Sequence, residues 1–187
     1  EQHIPIAKED LSLQYKVLFR PEKGDKQSPM RVLLIGTRKS LVERYINMFT
    51  AMGIEPSILE TQVLSLLRSL EIGTEEPPTM VLNWGATNMD VSVIFKGEVQ
   101  FVFTHTGVGA LLTKTLQQTL GLDLQQAEQY KRTYGLDPSQ FEGRVRNALA
   151  PTINTLVTEI QKAQRYFVSQ FPQNTLSRIV ITGGSAQ

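Results

Sequence analysis

From Asp10 to Leu18 apolar residues alternate with polar ones, placing Leu11, Leu13, Tyr15 and Val17 on one side with the two-residue period of a half-buried strand. The stretch from Arg20 to Pro29 is polar, is broken by Pro21, Gly24 and Pro29, and reads as an exposed loop. Arg31 to Gly36 is a nearly continuous apolar run, the pattern of a buried strand. Thr37 is then placed to cap a helix from Lys39 to about Met52, with Leu41, Tyr45, Met48, Phe49 and Met52 on one face and Gly53 ending it. A short strand is expected over Ile54 to Glu60. A second helix is expected over Thr61 to Leu70, with Val63, Leu66, Leu67 and Leu70 turned inward.

Gly73-Thr74-Glu75-Glu76-Pro77-Pro78 has the composition of a linker and divides the chain into two lobes, 1–74 and 79–187. The second lobe opens with three apolar runs, Thr79 to Leu82, Val91 to Phe95 and Gln100 to Thr104. Their short connections predict an antiparallel meander. Between the first two runs, Asn83-Trp84-Gly85-Ala86-Thr87-Asn88-Met89-Asp90 forms a polar turn large enough for a phosphate. An ordinary hairpin uses the same residue types. His105-Thr106-Gly107-Val108-Gly109 leads into a helix over Ala110 to Leu120. Glycines at such a junction serve either a sharp turn or an anion site built on free N–H groups and the helix dipole.

A helix over Leu124 to Tyr134 follows, apolar at Ala127, Tyr130 and Tyr134. Glu128 and Lys131 share its other face, as a surface ion pair or as a polar clamp on a ligand bearing hydroxyls. The longest helix carries Leu149, Ile153, Leu156, Val157, Ile160, Ala163, Phe167 and Phe171 in one core stripe. Pro151 either kinks it or marks its restart. Arg178 to Thr182 reads as a buried strand running into Gly183-Gly184-Ser185.

Composition narrows the function classes. Of 187 residues, 41% are hydrophobic and 20% charged, enough apolar material for a folded core. Nineteen basic residues face eighteen acidic ones for a net charge of +1, and the basic ones are scattered, which argues against a nucleic-acid footprint. The absence of cysteine excludes disulfides and thiolate chemistry, and with only His3 and His105 no metal site is expected. No apolar run reaches the roughly 18 residues of a membrane span, and no signal-peptide pattern opens the chain. Because it begins at Glu1 rather than Met, the chain reads either as a fragment or as a divergent full-length form.

The ordered set of motifs in the second lobe resembles domain 2 of the actin-like ATPase superfamily: strand, Gly-containing turn, two strands, glycines and helix, Ala127-Glu128-x-x-Lys131 helix, long helix, strand and Thr182-Gly183-Gly184. Within that superfamily it is similar to the PilM family of type IV pilus assembly, itself similar to the cell-division protein FtsA. Ile4-Pro5-Ile6, Leu11 to Leu18 and the strand and helix from Arg31 to Met52 resemble the family's inserted subdomain 1C, and Thr61 to Leu70 the segment returning through subdomain 1A. The resemblance implies a partial α/β, ribonuclease H-like, actin-like ATPase fold: domain 2 (2A/2B) plus a small inserted α/β subdomain. It also implies ATP and Mg²⁺ as ligands of the full-length protein.

Carried over by position, Asn83, Gly85, Ala86 and Thr87 match the second phosphate motif, and Gly109 the start of the following helix. Glu128 and Lys131 match the ribose and adenine contacts, and Gly183, Gly184 and Ser185 the adenosine motif. Two positions depart from the pattern. Asn83 replaces the usual Asp, removing a charge that organises Mg²⁺, and Val108 replaces a glycine and is expected to crowd one edge of the site. The resemblance implies that the first phosphate motif lies in subdomain 1A strands upstream of Glu1. The reading is therefore at most a weak ATPase with no catalytic or metal residue assigned, and weak or no ATP binding by these 187 residues alone.

The expected role is a cytoplasmic pilus-assembly scaffold, held to the inner membrane through partners. Those partners are the cytoplasmic tail of a PilN-like inner-membrane protein and the pilus secretion ATPases. An active actin-like ATPase, or an actin-like protein of secretion or cell division, is the alternative.

Overall fold

A computed structural model describes residues 6–23 and 28–186, so His3, Ile4, Pro5 and Gly24 lie outside the described residues. The chain divides into two compact units, with the break between Leu70 and Glu71.

The first unit holds β1 (Leu11–Phe19), β2 (Arg31–Arg38), α1 (Lys39–Ala51) and α2 (Gln62–Ser69). The two strands pair antiparallel, with Tyr15 opposite Leu34 and Leu13 opposite Gly36. The alternation of β1 is present, but Leu13, Tyr15 and Leu34 are 51, 71 and 50% exposed, so this side is not core. Thr37 belongs to β2 and does not cap α1. The cap comes instead from Asp10, thirty residues earlier, whose carboxylate accepts from Ser40 N and Ser40 Oγ, both at 2.9 Å. The backbone bond from Ser40 is the main reason its pKa lies below the usual carboxylate value.

Ile54 to Glu60 forms no strand, because among the described residues it has no ladder partner and Pro56 cannot donate to one. Ile54, Ile58 and Leu59 are accordingly exposed. α2 matches its pattern: Thr61 Oγ1 accepts from Leu64 N at 3.4 Å and Leu67 is buried.

The second unit holds β3 (Thr79–Trp84), β4 (Asn88–Phe95), β5 (Glu98–Thr106), α3 (Val108–Leu120), α4 (Leu124–Tyr134), α5 (Arg144–Gln170) and β6 (Arg178–Thr182). Strand order is β5-β4-β3-β6, with β6 parallel to β3 and the other pairs antiparallel. A parallel pair needs a long crossover, and the three helices supply it. Met80, Leu82, Met89, Val91 and Val93 pack against Leu156, Ala163 and Phe167 in one cluster. Leu112, Leu116, Ala127, Val145, Ala148 and Leu149 form a second, and Trp84 touches both.

Three expectations change here. β6 is an edge strand with Ile179 and Ile181 each 58% exposed, not a buried one. Val157 faces outward, because it sits about 100° around α5 from buried Leu156. α5 runs as one element through Pro151, so the helix does not restart there. Gly73–Pro78 also folds with the second unit. Glu76 pairs with Arg178 at 2.7 Å, and Thr79 Oγ1 donates to Pro77 O at 2.8 Å.

Candidate functional site

The turn between β3 and β4 is shorter than its polar composition suggests. Both strands extend inward until only Gly85, Ala86 and Thr87 remain between them. Asn83 and Asp90 sit directly opposite each other in the ladder and are buried, so Asn83 lies in the strand beneath the turn rather than in it. Asn83 Nδ2 donates to Asp90 Oδ2 at 3.3 Å, and Thr104 Oγ1 donates to Asp90 Oδ1 at 2.7 Å. By sequence Asp90 stands at the end of the polar turn, with no role assigned to it. The available signal was its mirror position to Asn83 about a central turn.

Two backbone segments converge on this turn. Gly107 N donates to Thr87 O, joining it to the head of α3. A Cβ on Gly109 would lie 2.9 Å from the Ala86 carbonyl carbon and closer still to its oxygen, so only glycine permits the contact. On the other side Gly183, at φ +100°, lies against Trp84. Beyond it Ser185 N donates to Trp84 O at 2.9 Å and Ser185 Oγ to Gly85 O at 3.4 Å. Gly184 has open space around its α-carbon. Val108 does not crowd the junction: it is 3% exposed and its side chain enters the sheet core.

The Glu128–Lys131 pair reaches the same junction. Lys131 Nζ donates to Glu128 Oε2 (2.6 Å), to Thr113 Oγ1 (2.9 Å) and to Gly109 O (3.4 Å). Arg132 Nε donates to Glu128 Oε1 at 2.9 Å. The Lys131 bond is the chief cause that holds the Glu128 carboxyl at about 2, below its model-peptide 4.5, with Thr113 and Arg132 adding to it. α4 carries this pair stably because Asp123 and Gln126 form a reciprocal capping box at its start. A shallow depression of about 670 Å³ along the outer face of α4, lined by Leu124, Gln125, Glu128, Gln129, Arg132 and Thr133, meets the pair only at Glu128.

Because the folded Glu128 value is depressed, its contribution to stability is complete above about pH 4.5 and is lost as pH falls toward about 2. With the side chain 34% exposed, solvent screening limits that contribution to about 1 kcal/mol. Lys131→Ala is therefore expected to lower unfolding free energy by about 1 kcal/mol at pH 7, a gap that closes by pH 2. Urea unfolding at both pH values measures it, and an equal gap at pH 2 would contradict the assignment.

The residues fit a phosphate-bearing ligand. Among the described residues no hydrogen bond occupies the N–H groups of Ala86 and Thr87 or the Thr87 hydroxyl, and both residues are exposed. Such a turn presents donors to an anion. They do not fit a directly held Mg²⁺, since the carboxylate beneath the turn, Asp90, is buried and already accepts from Asn83 and Thr104.

The family described as "Type IV pilus assembly protein PilM" matches residues 1–187. A solved structure titled as a PilM-PilN type IV pilus biogenesis complex superposes with TM-score 0.76 at 21% identity, over 99% of this chain and 52% of that one. The ethanolamine utilization protein EutJ of Carboxydothermus hydrogenoformans gives 0.57 at 20%, over 75% of this chain and 47% of that one. MreB5 of Spiroplasma citri bound to ADP gives 0.54 at 16%, over 79% and 54%. At these identities the likeness establishes the fold: mixed α/β, a partial actin-like ATPase fold. The chain spans about half the length of the structures it matches.

Proposed function

The chain belongs to the PilM family of type IV pilus assembly proteins, and from that premise we propose that it is part of a cytoplasmic actin-fold scaffold of pilus assembly. The family match over all 187 residues carries this reading. In it, the first unit corresponds to the inserted subdomain 1C with a returning segment of 1A, and the second to domain 2. The scaffold binds the cytoplasmic tail of a PilN-like inner-membrane protein and contacts the pilus secretion ATPases. A solved PilM-PilN complex among the matches supports the first partner. Membrane attachment would run through such partners; no helix of the described residues is long and apolar enough to cross a bilayer.

We propose further that the full-length protein binds ATP. The uncommitted donors of Ala86 and Thr87 would face phosphate, Gly183, Gly184 and Ser185 would lie along the adenosine end, and Glu128 and Lys131 would take the ribose side. The Asn83–Asp90 pairing favours binding over hydrolysis, because it leaves no free carboxylate beneath the turn.

The partner reading has a direct test. Leu13, Tyr15 and Leu34 form an exposed apolar stripe on the first unit, the kind of surface a peptide side chain can cover. Calorimetric titration of the full-length protein with the synthetic tail peptide is expected to show saturable binding. Tyr15→Asp is expected to weaken it about tenfold or more with the melting temperature unchanged. No binding by the unmodified protein would remove the partner from the proposal.

A further inference from the structure

Thr113 is an unassigned residue at the centre of the clamp. It sits on the second turn of α3, is 4% exposed, and its hydroxyl meets three groups: Glu128 Oε2 at 2.7 Å, Lys131 Nζ at 2.9 Å and Gly109 O at 3.1 Å. A hydroxyl has one proton and two lone pairs. Lys131 can only donate, so Thr113 accepts from it and donates its own hydrogen bond to the carboxylate, closing a ring with the direct Lys131–Glu128 bond. Thr113 thereby joins α4, which carries both charges, to α3, whose first turn packs against Ala86.

We propose that Thr113 is a positioning residue for the nucleotide, setting the Glu128 carboxylate in the orientation that receives the ligand's sugar hydroxyls. The proposal rests on the ATP-binding reading above. A carboxylate offers about four acceptor directions, and Lys131, Thr113 and Arg132 take three. With the side chain 34% exposed, the remaining direction is open to a hydroxyl donor. Without the Thr113 bond the carboxylate keeps its charge partners but loses the one neutral anchor that fixes its rotation.

The test uses full-length protein with Thr113→Val, which keeps the side-chain shape, and Thr113→Ser, which keeps the hydroxyl. In nucleotide-free protein, carbon NMR of Glu128 is expected to show its carboxyl titrating at higher pH in Thr113→Val, and as in the unmodified protein in Thr113→Ser. Binding is then compared for ATP and 2′-deoxy-ATP. Thr113→Val is expected to lose about tenfold in ATP affinity, the size of one hydrogen bond to a charged group, and to lose much of any preference for ATP over the deoxy form. Thr113→Ser should recover both. An unmodified protein that binds no ATP overturns the nucleotide reading and this assignment with it. ATP binding undiminished in Thr113→Val, or an unmoved Glu128 titration there, overturns this assignment alone.

Discussion

Gly183→Ala is expected to destabilise the second unit by about 3 kcal/mol, from overpacking and a left-handed backbone together, whereas Gly184→Ala one residue later leaves stability within about 0.5 kcal/mol of the unmodified protein. The added methyl at 183 would lie 2.6 Å from the Trp84 carbonyl carbon and 2.8 Å from its nitrogen, on a residue at φ +100°. Backbone atoms on a central strand cannot step aside as a flexible side chain can. At 184 nothing lies within contact distance and the φ angle is ordinary. Thermal unfolding of the pair measures the difference, with a melting temperature about 10 °C lower expected for Gly183→Ala alone. Gly184→Ala still has a functional consequence in the ATP-binding reading, since a side chain there would enter the space left for the adenosine end. Equal stability of the two variants would mean that the Thr182–Ser185 segment does not press on β3 as described.

The second large effect is expected from Asn83→Asp. By family pattern alone, this change in the full-length protein would restore a metal-organising charge and raise Mg²⁺-dependent phosphate release. The geometry adds a cost. Asn83 Nδ2 lies 3.3 Å from Asp90 Oδ2 and both residues are buried, so the substitution sets two carboxylates face to face where an amide donated a hydrogen bond. Like charges at that distance force one carboxyl to stay protonated, raising its folded pKa above the unfolded value. A raised value contributes stability at low pH that is lost as pH rises through it. Asn83→Asp is therefore expected to lose about 3 kcal/mol at pH 7.5 and to recover most of it near pH 5, above the range where Glu128 titrates. Millimolar Mg²⁺ should recover part of it at pH 7.5 if a cation can reach the pair. Urea unfolding at the two pH values decides it; pH-independent stability of the variant would show that the two side chains do not meet.

Much of this architecture was legible because periodicity survives in single elements. The alternation over Asp10 to Leu18, the meander, the inward face of α2 and most of the long stripe on α5 all correspond to elements where predicted. Where the reading failed, the deciding partner was distant in sequence. Asp10 caps α1 across thirty residues and displaces Thr37 from that role. Asn83 and Asp90 are residue types that local propensity assigns to turns, yet each is held in a strand by the other, and Thr104 adds a bond to Asp90. Ile54 to Glu60 has strand composition without a ladder, and the short apolar stretch that identified β6 could not tell a central strand from an edge. At the site, the glycines were visible as glycines. Only coordinates show that Gly109 and Gly183 serve close backbone packing, and Thr113 left no pattern because a lone threonine in a helix carries none.

Trp84 is the chain's single tryptophan. Its backbone is pinned beneath Gly183 and Ser185, its ring bridges both core clusters, and its indole N–H has no hydrogen-bond partner among the described residues. These 187 residues therefore carry one indole fluorophore, at the place where turn, helix head and the Gly183–Ser185 segment meet. Its emission is a local optical signal of whether that junction is closed, undiluted by any other indole.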